Sequence, residues 1–225
     1  MRIVDAAGVE GAQEARGAVV VIDVFRAFTV SAYALAGGAR EVIYAADLER
    51  AREVAASIPG AVLCAEVDGL PVEGVPISNS PTMIAAADLA GRTLVQRSSA
   101  GVQSLAAATG AEHLFAAGLV VAGATAREVL ALEPELITLV ASRPDHPEDG
   151  ACAAYLAGLL EGRTADLEAL LAPLRASSRF AELAQGGVPG FPATDLELAL
   201  AVDRFDFPLP VERAGDGLLR VRRSP

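Results

Sequence analysis

The 225-residue sequence contains no tryptophan, no lysine, few aromatic residues and only two cysteines. Because all 18 basic residues are arginines, a P-loop of the lysine-containing type is excluded. Cys64 and Cys152 lie far apart and form neither a disulfide framework nor a zinc pattern, so we expect two buried thiols. No apolar run is long enough to cross a bilayer and no signal peptide is visible, which predicts a cytoplasmic protein.

Positive charge is also scarce, since 29 acidic residues against 18 basic ones give a formal net charge of -11. A chain this acidic repels a phosphate backbone and an anionic membrane surface, so neither nucleic acid nor membrane is an expected partner. Hydrophobic residues make up 52% of the sequence, which excludes a disordered chain. The length allows one large domain or two fused lobes, and a homo-oligomer is an open alternative.

Apolar runs alternate with alanine-rich stretches along the chain. The runs predict strands at residues 18–22, 41–44, 61–65, 91–96, 113–116 and 135–141. The stretches between them predict helices at about 29–36, 46–57, 102–108 and 150–161. Near the C-terminus, residues 194–197 read as a capping box for a short helix, and residues 218–221 as an edge strand. The alternation predicts an α/β fold with three layers, α/β/α, around a largely parallel sheet that is mixed at its edge.

Part of the pattern recurs about 72 to 75 residues later, as the matching positions show. The segment AGGAREVIYAA at 36–46 aligns without a gap with ATGAEHLFAAG at 108–118, and AREV at 51–54 recurs at 126–129. This recurrence predicts a single unit over residues 1–225 built from two related halves, with pseudo-repeat lobes at 1–90 and 91–225.

Polar side chains follow four of the predicted strands, at the position where open α/β sheets bind ligands. These groups are Asp23 and Arg26; Glu66 and Asp68; Arg97, Ser98 and Ser99; and Arg143, His146, Glu148 and Asp149. Carboxylates favour a hard cation such as Mg²⁺, whereas arginines and hydroxyls favour an anionic phosphate ester. The structural alternatives are helix N-caps for the two serines and first-turn acids for Glu148 and Asp149.

Four segments, in this order, resemble the 2-phosphosulfolactate phosphatase family: VVIDVFRAFTV (20–30), AEVDGLPVEGVPISNSP (65–81), LVQRSSAG (94–101) and EDGACAAYLAGLL (148–160). The resemblance implies Mg²⁺-dependent hydrolysis of 2-phospho-3-sulfolactate, a biosynthetic step in organisms that make coenzyme M. Two positions depart from the family pattern. Val67 stands where the family usually has arginine, and Ala100 stands where it usually has asparagine.

The resemblance implies a site made of Asp23, Arg26, Glu66, Asn79, Ser98, Ser99, Gly101, Glu148 and Asp149. We add Arg97, because its guanidinium could replace the arginine missing at position 67. Our hypothesis is that Asp23, Glu66 and Asp149 hold the Mg²⁺ and act in catalysis with Arg26, while the others bind substrate. The expected reaction is hydrolysis of a small phosphate monoester, 2-phospho-3-sulfolactate or a similar phosphorylated hydroxy acid. A non-catalytic anion-binding protein, and a lyase or mutase acting on a phosphate ester, stay open as alternatives.

Overall fold

The structure, a computed structural model, describes residues 1–223. Its strands are β1 (Arg2–Ala7), β2 (Gly17–Ile22), β3 (Glu41–Tyr44), β4 (Val62–Val67), β5 (Leu70–Pro71), β6 (Thr93–Arg97), β7 (Ala111–Ala117), β8 (Leu136–Ala141), β9 (Leu209–Arg213) and β10 (Leu219–Val221). Its helices are α1 (Gly8–Glu14), α2 (Ala27–Ala36), α3 (Leu48–Ser57), α4 (Pro81–Ala85), α5 (Gly101–Ala107), α6 (Ala122–Ala131), α7 (Pro147–Leu160), α8 (Leu167–Arg175), α9 (Ser178–Ala184) and α10 (Thr194–Ala199). A single 3-10 turn at Leu119–Val121 precedes α6.

The strands form one sheet in the order β1-β8-β2-β7-β9-β10-β3-β6-β4-β5. Pairing is parallel within β1-β8-β2-β7 and within β3-β6-β4, and the hairpin β9-β10 joins these two blocks through antiparallel pairs. The predicted α/β class with a largely parallel sheet is therefore confirmed. The prediction that residues 218–221 form an edge strand is wrong, because the backbone of β10 pairs on both sides, with β9 and with β3.

Strand β2 shows why helices cover both faces of the sheet, since all six of its residues are buried. Val19 and Val21 pack in one core cluster with Phe28 of α2, whereas Val20 and Ile22 pack in another with Leu156 of α7. Alternate residues of a strand point to opposite faces, so a continuous apolar run is the expected sequence of such a doubly covered strand.

Each of the two parallel blocks contains strands from both stretches of the predicted repeat. One stretch runs β2-α2-β3-α3-β4 and the other runs β6-α5-β7-α6-β8. Strand β2 of the first stretch lies between β8 and β7 of the second, and β6 of the second lies between β3 and β4 of the first. The AREV segments occupy the corresponding helices α3 and α6. The predicted lobes at 1–90 and 91–225 stay a prediction. They do not coincide with the two blocks, since each block contains strands from both stretches.

Two further observations concern the helices. Helix α10 begins at Thr194, but Ala193 is its N-cap and no side chain caps it, so the predicted capping box is wrong. The hydroxyl of Thr194, which would be the cap, instead forms a hydrogen bond with the hydroxyl of Thr82 at 2.8 Å. Across residues 1–223, no helix combines the length and the apolar character that crossing a bilayer requires.

Candidate active site

Loops that follow the carboxyl ends of strands from both blocks meet around one cleft with a volume of about 570 Å³. The backbone N–H of Gly101, after β6, donates to Asp23, after β2, over 2.9 Å. Of the ten predicted site residues, five line this cleft: Asp23, Arg26, Glu66, Asn79 and Ser99. Five do not line it: Arg97, Ser98, Gly101, Glu148 and Asp149. Of the two departures from the family pattern, Ala100 lines the cleft and Val67 does not.

Asp23 is a buried carboxylate held in place by backbone amides. Its Oδ1 accepts a hydrogen bond from the N–H of Ala27 at 3.0 Å, and its Oδ2 accepts the one from Gly101. Burial raises the pKa of Asp23 to about 6, against the lowering effect of these two bonds, and the charges of Glu66 and Glu148 add to the increase. The carboxyl therefore changes its protonation state close to neutral pH.

Gly101 lies so close to Asp23 that a side chain has no room there. A Cβ atom at this position would stand 2.6 Å from Asp23 Oδ2 and 3.0 Å from Phe28 Cζ. The glycine thus serves the site indirectly, because only a residue without a side chain lets the start of α5 approach the carboxylate.

Arg26 is buried with its guanidinium in the cleft. Its Nη1 pairs with Asp195 Oδ2 at 3.2 Å and also donates to the carbonyl oxygen of Gly190. The guanidinium carbon lies 4.4 Å from the centre of the Phe191 ring, a cation–π contact. Burial lowers the pKa of Arg26, while the charge of Asp195 raises it. The ion pair and the aromatic ring together fix the orientation of the guanidinium.

Glu66 organises the loops that follow β4 and β6. Its carboxylate accepts hydrogen bonds from the N–H and the hydroxyl of Ser99 and from the N–H of Gly69, the last at 2.6 Å. Arg97 donates to the carbonyl oxygen of Glu66 and to Ser99 Oγ, so it braces these loops. Ser98 Oγ accepts from the N–H of Val102 at 3.0 Å. The N-cap of α5 is Ala100 and no side chain caps this helix, so the N-cap alternative for Ser98 and Ser99 is wrong.

Asn79 lines the cleft with an amide whose orientation is fixed from behind. Gln96 Nε2 donates to Asn79 Oδ1 at 2.8 Å, and Gln96 Oε1 in turn accepts from Ser31 Oγ. Tyr44 donates to the same serine, so the whole chain of hydrogen bonds has one direction. Since Oδ1 accepts from Gln96, Nδ2 of Asn79 is the group available to donate to a ligand.

Asp149 and Glu148, at the start of α7, lie beside the cleft without lining it. Asp149 accepts from the N–H of Val24 at 2.9 Å and from Ser142 Oγ at 2.8 Å, so it supports the loop that carries Asp23. Burial, with the charge of Asp23, raises the pKa of Asp149 well above its usual range. Burial also raises the pKa of Glu148, whose Oε1 pairs with Arg179 at 3.1 Å.

The C-terminal helices supply site residues that the sequence did not reveal. Arg179 of α9 lines the cleft, and Asp195 of α10 holds Arg26 while it accepts from Ser80 Oγ at 2.7 Å. Neither residue follows a strand, so the rule that located the other groups could not find them. His146 also lines the cleft, and burial, with the positive charges of Arg179 and Arg143, lowers its pKa to about 4.

Two carboxylates of the cleft are the residues that could hold a magnesium ion. Within residues 1–223, no three His, Cys, Asp or Glu side chains lie close enough together to hold a metal by themselves. Mg²⁺ usually takes one or two carboxylates and completes its shell with water and substrate phosphate. Asp23 and Glu66 line the cleft and, among the ion pairs of the described residues, have no cationic partner. Two such carboxylates suit a cation, whereas Asp149 does not face the cleft.

Comparisons with known proteins agree with the motif resemblance. A family model described as 2-phosphosulpholactate phosphatase matches residues 6–185. A "Probable 2-phosphosulfolactate phosphatase" of Bacillus subtilis is 37% identical over 145 residues, 64% of each chain. Proteins of the same name from Prochlorococcus marinus (strain MIT 9303) and Deinococcus radiodurans are 36% and 34% identical, over 66% and 63% of this chain and 63% and 59% of theirs. Each match covers less than two thirds of the relative's length. The resemblance is confirmed, and the chain belongs to the 2-phosphosulpholactate phosphatase family.

Proposed function

We propose that the chain is a Mg²⁺-dependent phosphatase that hydrolyses small phosphate monoesters of hydroxy acids, with 2-phospho-3-sulfolactate as the first substrate to test. The observation that carries the proposal is Asp23, a buried carboxylate in a cleft that also contains the guanidinium of Arg26 and the amide of Asn79. Family membership adds support, because the curated relatives bear the name of this activity.

Each residue has a distinct part in this proposal. Asp23 and Glu66 would hold the metal, which when bound neutralises phosphoryl oxygens and lowers the pKa of a coordinated water. Arg26 binds the phosphate and stabilises the negative charge that develops during its transfer. Asn79 Nδ2 donates a hydrogen bond to the same group. Asp149, through the N–H of Val24, positions the loop that carries Asp23 and Arg26.

Burial links the functional roles of Arg26 and Asp23 to the stability of the fold. Breaking the Arg26–Asp195 pair would leave a buried charge without a partner, so Arg26 is expected to serve both stability and binding. Asp23 carries a charge whose burial is unfavourable, as its raised pKa shows, so its charge is retained at a cost to stability. Such a cost at a ligand-facing position is typical of functional sites.

Phosphate release from a panel of phosphate monoesters tests the proposal. The purified protein is first treated with EDTA, and activity is then measured with and without added Mg²⁺ on phospholactate, 2-phospho-3-sulfolactate and an unrelated sugar phosphate. We expect turnover of the hydroxy-acid esters that depends on Mg²⁺ and is lost in Asp23→Asn. Activity that is the same in EDTA would overturn the metal dependence, and no turnover of any ester would overturn the phosphatase.

A further inference from the structure

Part of the cleft lining is apolar. Three aliphatic side chains reach it from separate segments: Leu70 from β5, Leu183 from α9 and Val188 from the loop after α9. Phe25 and Phe191 also line it. The side chain of Leu70 is 51% exposed, so it has apolar surface that a ligand in the cleft could cover. An apolar part of a bound ligand would provide that cover.

The charged residues that line the cleft include no surplus of cations. Three arginines line it, and each already pairs with a carboxylate at 3.1 to 3.3 Å: Arg26 with Asp195, Arg143 with Asp145, and Arg179 with Glu148. In the part of the chain that the structure describes, the cleft therefore offers no arginine without a carboxylate partner. The lining also carries more carboxylates than arginines, namely Asp23, Glu66, Asp68, Asp145 and Glu182. A phosphate bound with the help of a metal is compatible with this balance, whereas a second strong anion such as a sulfonate would meet a lining with an excess of negative charge.

The size of the cleft also exceeds the needs of a three-carbon ester. Its volume of about 570 Å³ falls within the range of about 300 to 1,000 Å³ found for pockets that enclose drug-sized ligands. A phosphorylated three-carbon acid would occupy the polar floor near Asp23 and leave the surface of Leu70 and Val188 uncovered.

We propose that this site selects phosphate esters of hydroxy acids whose carbon skeleton carries an aliphatic side chain in place of a second strongly acidic group. The inference rests on the proposed phosphatase function and specifies its substrate class. Leu70, Leu183 and Val188 are the residues that determine this specificity. The phosphate end of the ligand lies by Asp23, Arg26 and Asn79, and the aliphatic end lies against the three side chains.

The expected preference follows from the hydrophobic effect. Each buried methylene contributes about a fourfold gain in kcat/KM. Replacing the methyl group of lactate by an isobutyl group adds three carbons, so complete burial would give a gain on the order of 50-fold. With partial burial at the cleft mouth, we expect a gain of about tenfold.

The test compares kcat/KM for the 2-phosphate esters of 2-hydroxy-4-methylpentanoate, lactate and 3-sulfolactate. We expect the first to exceed the other two by about tenfold, and the ratio to fall toward one in Leu70→Ser and Val188→Ser. Leu130→Ser is the matched control, because Leu130 is 39% exposed on α6 and does not line the cleft. A higher kcat/KM for the sulfolactate ester, or a ratio unaffected by the two cleft variants, would overturn the inference.

A binding measurement keeps this inference separable from the phosphatase proposal. The same three compounds are prepared as methylenephosphonate analogues, which cannot be hydrolysed, and their Kd values are measured by calorimetry with Mg²⁺ present. Tighter binding of the methylpentanoate analogue without turnover of any ester would uphold the substrate preference and refute the phosphatase. Turnover of the esters with equal Kd values for the analogues would have the opposite meaning.

Discussion

Gly101→Ala is the substitution that tests most directly whether the position of Asp23 controls activity. The added Cβ atom would stand 2.6 Å from Asp23 Oδ2 and 2.9 Å from its Cβ. To restore an ordinary contact of 3.4 Å, the carboxylate oxygen and the start of α5 must separate by about 0.8 Å. That movement lengthens the 2.9 Å hydrogen bond from the Gly101 N–H to Asp23.

The expected effect of Gly101→Ala consists of two opposing contributions to the free energy of unfolding and one loss of activity. Alanine is favoured over glycine in a helix interior by about 1 kcal/mol, and the gain at Gly101, the first residue of α5, is at most of this size. Overpacking a close contact costs about 1–3 kcal/mol, so a net destabilisation of about 1 kcal/mol is expected. Misplacing a catalytic group by about 1 Å can cost about 100-fold in rate, so kcat/KM is expected to fall on the order of 10- to 100-fold.

The assay is kcat/KM for a phosphate monoester together with the free energy of unfolding from urea denaturation. Gly150→Ala is the control, because Gly150 lies in α7 with no neighbouring atom within 4 Å of a Cβ. That variant should keep its activity and gain up to about 1 kcal/mol of stability. A Gly101→Ala protein with lower stability but wild-type kcat/KM would refute the role of Asp23, and one unchanged in both would refute the steric argument.

Three further outcomes are expected. Asp23→Asn should abolish phosphate release. Without metal it should also become more stable relative to wild type as the pH rises from about 4 to about 6, because the wild-type carboxyl is ionised in the unfolded chain but still protonated in the folded one over this range; urea titrations at each pH measure this. Arg26→Met should lose about 3–5 kcal/mol of stability, because buried Asp195 is left without its cationic partner. Adding Asp195→Asn should restore most of this stability but not the activity. The affinity for Mg²⁺ in calorimetry should weaken as the pH falls below 6, since protonated Asp23 cannot bind a metal; constant affinity would exclude Asp23 as a ligand.

Local sequence pattern was enough to find the loops around the cleft. Asp23 and Ser99 closely follow buried strands and Glu66 lies at the carboxyl end of β4, and the carboxyl ends of such strands face the ligand in open α/β sheets. The strand that precedes Asp23 is recognisable because burial on both faces demands a continuous β-branched run. These signals are local, so they need no knowledge of which strands pair.

The direction of individual side chains and the contribution of the C-terminal helices could not be read in this way. Arg97 and Ser99 are two residues apart, yet only Ser99 faces the cleft, because Arg97 turns toward the backbone of Glu66. Asp195 resembled part of a capping box, but it lies 169 residues after Arg26 and pairs with it only in the folded chain. Contacts at such separations leave no periodic signal in the sequence.

The exchange of central strands between the two parallel blocks has a consequence for how the chain folds. Neither edge of β2 can pair until β7 and β8 are present, and these strands are synthesised about a hundred residues later. Contacts of such long range require the closure of a long loop, which costs conformational entropy before the contacts stabilise the fold. Proteins dominated by such contacts fold slowly. The first ninety residues alone would expose both edges of β2, a state open to aggregation. We therefore expect the two stretches to acquire their structure together, because each supplies strands that pair with those of the other.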